Sequence, residues 1–86
     1  GASTLAVRVS ADSWVEITDA SGRQLEKDLL RGGNERNYQG LPPFELMFGR
    51  ASAVELELNG ATVDLEPHTS GDVARLSLGE AEQQTP

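Results

Sequence analysis

The sequence predicts an all-β domain: a small antiparallel β-sandwich, immunoglobulin-like, of about seven or eight short strands. Three observations carry that expectation. Apolar and polar residues alternate at period two in run after run. Turn signals rich in Gly, Asn, Asp and Pro separate the runs. No segment sustains a helical apolar stripe, although Gln24 to Arg31 has room for one helical turn.

Leu5, Val7 and Val9 alternate with Ala6 and Arg8 as a first strand, which Ser10-Ala-Asp-Ser13 interrupts. Trp14 to Asp19 resumes the pattern. Asp19-Ala-Ser-Gly22 fits a type I turn with Gly22 left-handed, and leads into a strand over 23–30. In that register Ile17 faces Leu25, Val15 faces Lys27, and Trp14 shares the other face with Glu16 and Thr18. Gly32-Gly-Asn34 turns the chain into a short polar strand from Glu35 to Gln39.

The centre is Gly40-Leu-Pro-Pro-Phe-Glu-Leu-Met-Phe-Gly49, where Phe44, Leu46 and Phe48 alternate with Glu45 and Met47. Pro42 and Pro43 precede this strand, where a missing N–H breaks no ladder bond, and Gly49 ends it. Val54, Leu56 and Leu58 then alternate with Glu55 and Glu57, and Asn59-Gly60 turns the chain back through Thr62 to Glu66. Asn-Gly between alternating runs signals a type I′ turn, because both central positions need φ > 0. That turn sets Leu58 opposite Ala61, Leu56 opposite Val63 and Val54 opposite Leu65. The other face carries Glu55 opposite Asp64 and Glu57 opposite Thr62, with Glu66 further along, so it belongs in water or beside a basic strand. Pro67 to Gly71 reads as a loop, and Val73 to Leu78 as the last strand, with Ala74, Leu76 and Leu78 on one face.

The chain has 86 residues, which allows one small domain and a thin core. Residues 5–78 form the sandwich in this reading. Residues 1–4, opening on Gly1-Ala2, read as a linker end or cleavage remnant, and 79–86 as a flexible C-terminal tail. There is no cysteine, hence no disulfide, thiolate metal site or thiol nucleophile. A net charge of −7 argues against nucleic-acid binding and against docking on an anionic lipid surface. No apolar run approaches the roughly 20 residues of a membrane span, so any membrane span would lie outside this sequence.

Catalytic motifs are scarce. His68 is the lone histidine and has no partner to complete a metal set. No serine sits in a Gly-x-Ser-x-Gly turn, and Gly32-Gly33 lacks the lysine of a phosphate loop. Asp12 and Glu16 lie on a broken strand, with no second lobe to close over them. The expectation is a non-enzymatic domain with no cofactor and no metal. The candidate partner-binding residues are Trp14, Tyr38, Glu55, Glu57 and Asp64. For Trp14 the favoured use is core closure through a bulge near Asp12-Ser13, the other being an exposed aromatic that stacks on a sugar or a partner. Tyr38, on a polar strand, is the second candidate for an exposed anchor.

Trp14-Val-Glu-Ile-Thr-Asp-Ala-Ser-Gly22, Leu25, Gly40-Leu-Pro-Pro-Phe44, Gly49, Val54, Asn59-Gly60, Val63-Asp-Leu65 and Val73-Ala-Arg-Leu-Ser-Leu78 follow one another in an order that resembles a known family. It is the C-terminal periplasmic domain of the bacterial cell-shape protein RodZ, and the resemblance runs from about Leu5 to Leu78. It implies a larger single-pass inner-membrane protein whose cytoplasmic helix-turn-helix domain binds the actin-like protein MreB, with this domain in the periplasm. The implied role is coupling that cytoskeleton to the wall-elongation machinery and maintaining rod shape. The implied partners are periplasmic parts of that machinery. The alternative reading is a carbohydrate-binding module that touches peptidoglycan glycan through Trp14 or Tyr38.

Overall fold

The computed structural model describes residues 1–80. Its strands are β1 (Ser3–Val9), β2 (Ser13–Thr18), β3 (Gln24–Leu30), β4 (Glu35–Gly40), β5 (Phe44–Phe48), β6 (Val54–Leu58), β7 (Ala61–Val63), β8 (Thr69–Ser70) and β9 (Val73–Leu78). They form two antiparallel sheets, a four-stranded one in the order β4-β1-β6-β7 and a five-stranded one in the order β3-β2-β5-β9-β8. This is the all-β sandwich that the period-two pattern predicts. The stretch from Gln24 to Leu30 is a strand, not a helical turn.

The alternation decides the core. Leu5, Val7, Val9 and Leu56 of the first sheet are buried against Val15, Ile17, Phe44, Leu46, Phe48, Ala74 and Leu76 of the second. Each of these side chains except the small Ala74 contributes about 1.5–3 kcal/mol when taken from water. The residues between them point outward, so each sheet has one dry and one wet face.

The β6–β7 hairpin has the expected register, Leu58 with Ala61 and Leu56 with Val63. Asn59 (φ 51°) and Gly60 (φ 86°) both take the left-handed conformation that a type I′ turn requires. The hairpin is shorter than its pattern, however, because β7 ends at Val63 and Val54 never pairs with Leu65. The Asp64 side chain accepts the Glu66 N–H at 3.1 Å, and the chain enters a 3-10 turn at Glu66–His68 around Pro67, whose ring fixes φ. The expected loop from Pro67 to Gly71 thus contains part of this turn and the two residues of β8.

The β2–β3 hairpin departs from expectation by one residue. Gly22 is left-handed as expected (φ 88°), but Ile17 pairs with Glu26 and Val15 with Asp28. The register shifts between Ile17 and Thr18, which makes Leu25 the extra residue of a β-bulge. The bulge carries Leu25 into partial burial, where its Cδ1 lies against Gly40 of the other sheet.

Asp19 holds this end of the sandwich together. Its Oδ1 accepts the Ser21 N–H and hydroxyl and the Arg23 N–H, while Oδ2 accepts the Leu41 N–H at 3.2 Å. The Ser21 hydroxyl, followed by the Leu41 N–H, holds the carboxyl down at about 2. An aspartate in the unfolded chain titrates near 3.9. The carboxylate's stabilisation is therefore complete above about pH 4 and is lost as the pH falls toward 2.

Two predictions follow from this frame. Leu56→Ala should cost about 2–5 kcal/mol in urea unfolding, whereas Glu55→Ala should stay within about 0.5 kcal/mol. Equal midpoints would mean that the buried face is misassigned. Asp19→Asn should lower the urea midpoint at pH 7 and flatten the loss of stability between pH 4 and 2; an unchanged acid limb would remove Asp19 from its cause.

Candidate functional site: two outer sheet faces

Strand β1 lies between β4 and β6, so the outward side chain of Arg8 has Glu35 on one flank and Glu55 on the other. Its guanidinium donates to Glu35 Oε1 at 2.9 Å and to Glu57 Oε2 at 2.8 Å, and stands 3.7 Å from Glu55 Oε2. Those bonds, Glu57 first and Glu35 second, raise the Arg8 pKa above its ordinary value. The acidic face expected to need water or a basic strand has both, since a single arginine serves three carboxylates.

Beside Arg8 runs a groove of about 720 Å³, floored by Val54, Leu56, Val63 and Leu65. Glu55, Glu57, Asp64, Glu66 and Asp72 line it. The ladder ends at Leu56 and Val63, so Asp64 and Glu55 are not a cross-strand pair, and both line the groove with Glu66. Asp72 is committed to the Ser52 N–H and hydroxyl, which hold its carboxyl below the usual range. Glu57 is three-quarters covered, whereas the Glu55 side chain is 76% exposed and open to a partner. Such an arrangement attracts cationic groups and offers apolar surface beneath them.

Trp14 lies on the opposite outer face, 37% exposed, and does not close the core. The β2–β3 ladder runs regularly through Ser13 and Trp14, so the bulge that would have turned the indole inward is absent there. Its expected place is already full. Val15 and Phe48 are completely buried, and buried Ser13 accepts the Arg50 N–H through its hydroxyl. The indole Nε1 donates to Glu16 Oε2 at 2.8 Å instead.

Tyr38 is not an exposed anchor either. It pairs with Leu5 and packs against the core at the edge where β4 approaches β3. Its hydroxyl donates to Glu26 Oε1 at 2.5 Å, and Arg36 reaches the same oxygen at 3.4 Å. Burial, with Glu26 adding to it, pushes the phenol well above its ordinary pKa. This polar latch joins the two sheets at their open edge. Of the five candidates, then, Glu55, Glu57 and Asp64 share one groove, Trp14 occupies the other face, and Tyr38 is structural.

Sequence reading placed Glu66 with the acidic residues, where the groove lining has it, but missed Arg8 and Glu35 as members of that face. The outward parity of Arg8 was visible in the Leu5-Val7-Val9 alternation, but its carboxylate neighbours depend on pairings between distant strands. His68 lies on the exposed 3-10 turn. Among the described residues, no three His, Cys, Asp or Glu side chains are grouped to hold a metal ion.

These elements define a small all-β sandwich whose candidate binding residues lie mainly on two outer sheet faces. No solved structure matches it. A family model for the RodZ C-terminal domain matches residues 6–77, and the chain belongs to that family.

Tyr38→Phe leaves the Glu26 carboxylate, with a side chain only 13% exposed, to Arg36 alone. The expected loss is about 1–3 kcal/mol in urea unfolding, the scale of a hydrogen bond to a charged group. A midpoint equal to that of the parent chain would show that the latch contributes nothing.

Proposed function

We propose that this is the non-enzymatic interaction domain of a RodZ-like membrane protein, placed in the periplasm, where it links the MreB cytoskeleton to the wall-elongation machinery. The observation that carries this reading is the family match over residues 6–77. The charged groove and the exposed aromatic face support docking by surface complementarity as the mode of action. Glu35, Glu55, Glu57, Asp64 and Glu66 outnumber the one guanidinium of Arg8 on the first sheet's outer face and groove. Such a field steers a cationic partner and repels anionic polymers, which favours a basic protein surface over an anionic wall strand.

The exposed indole of Trp14, beside Glu16, favours one second reading. Aromatic faces stack on sugars, so contact with peptidoglycan glycan is the alternative function.

The acidic face is tested by reversing Glu55 and Glu66 to lysine. Glu57 is left in place because it holds Arg8, and Asp64 because it caps the following turn. The double variant should keep its unfolding midpoint within about 0.5 kcal/mol, weaken association with the elongation machinery and distort rod shape. A folded variant that supports normal rods and full association would remove this face from the function.

A further inference from the structure

We propose that the outer face around Trp14 is a second docking surface, and that its occupant is an acidic segment of a partner protein with an apolar anchor between its carboxylates. The proposal rests on the reading of the domain as a protein-docking module. It places a second contact opposite the acidic groove.

The surface is built in rows by the strand registers. Trp14 pairs with Leu29, and these are two of the three large exposed hydrophobic side chains in the described residues. On the other flank of Trp14 stands Gly49, whose N–H donates to the Trp14 carbonyl at 2.8 Å. An added Cβ at Gly49 would come within 3.1 Å of the Trp14 Cβ, so that flank of the aromatic side chain has no cross-strand neighbour. In the next row Glu16 pairs with Lys27 and with Met47, and Met47 pairs with Arg75. The bond from Nε1 to Glu16 fixes the indole before any partner arrives, so little rotamer freedom remains to be lost.

The charges around this row differ from those of the rest of the molecule. The chain has seven basic residues against fourteen acidic ones. Four of the seven, Lys27, Arg31, Arg50 and Arg75, stand in or beside the Trp14 rows or directly follow their strands. Lys27 and Arg75 take part in none of the ion pairs formed among the described residues, and Arg50 forms none either but stands in the field of Asp12 and Asp72. Arg31 pairs with Asp12 at 3.0 Å but keeps its side chain 71% exposed. The nearest carboxylates are committed, Glu16 to the indole and Asp12 to Arg31 and the Gly32 N–H. A rigid aromatic anchor ringed by available cations matches the pairing of apolar residue and carboxylate in an acidic peptide. An anionic bilayer fits less well, because Glu45 is exposed on the same outer face and would be pressed against like charge over the broad contact a bilayer makes, whereas a short segment can avoid it.

Trp14 is the chain's one tryptophan, so its fluorescence reports this surface alone. The test is a titration with a short peptide carrying two leucines flanked by glutamates. Parallel titrations use its lysine counterpart, phosphatidylglycerol vesicles and an N-acetylglucosamine oligosaccharide. The expected result is a saturable spectral shift with the acidic peptide only, weakened by salt and about tenfold by Lys27→Glu with Arg75→Glu. No shift with the acidic peptide, or binding indifferent to the two reversals, overturns the proposal. A shift with the vesicles or the oligosaccharide but not the acidic peptide does so too. These readings are independent of the Glu55 and Glu66 variant, so this surface and the acidic face succeed or fail separately.

Discussion

One constraint organises the molecule: two antiparallel sheets must share a single dry layer, and each strand contributes every second side chain to it. Leu5, Val7 and Val9 meet Val15, Ile17, Phe44, Leu46 and Phe48 in that layer. Once those positions are buried, the intervening ones have no choice of direction. Arg8 must point outward among the carboxylates of β4 and β6, and Trp14 must point outward beside Leu29. The proposed docking surfaces are in this sense the complement of the core.

Polar side chains close what the alternation leaves open. Asp19 gathers backbone donors from its own turn and from Leu41, tying the β2–β3 turn to the entry of β5. Glu26, Tyr38 and Arg36 bridge the edges of the two sheets. Asp12 ties Gly32 to the β1–β2 crossing, where a side chain on Gly32 would collide with the Ala11 backbone at 2.9 Å. All three devices stand at places where the chain crosses or bridges the sheets. There the ladder supplies no partner, and for buried Asp19 and largely covered Glu26 a polar group without one costs about 1–3 kcal/mol.

Much of the fold was legible because its signals are local. The period-two runs, Asn59-Gly60 and the prolines before Phe44 each act over a few residues, and they place β5, β6, β9 and the central hairpin correctly. What was not legible depends on distant contacts. The bulge at Leu25 exists because an apolar side chain finds Gly40 in the other sheet, and no local pattern announces that. The early end of β7 was closer to the surface of the sequence, since Asp64 and Pro67 together favour a turn over continued pairing. Tyr38 was misread because its polar strand hid an inward parity shared with Leu5. Trp14 was misread in the opposite direction, its size suggesting core use where Val15 and Phe48 had already filled the space. The acidic site was legible residue by residue, but not its central Arg8, whose role appears only when β1 is placed between β4 and β6.

The proposed account is a domain that works by contact alone and presents two unlike faces. One is acidic around Arg8 and its groove, and the other is aromatic with available cations around Trp14. Such a module can hold two different partners at once without moving, because the rigid core keeps the faces on opposite sides of the sandwich. The most direct measurement is site-specific photo-crosslinking in intact cells, with the reactive group placed at Glu55 in one strain and at Leu29 in another. The account predicts two distinct crosslinked proteins, one contacting each face. Capture of the same protein from both positions, or of none from either, would contradict it.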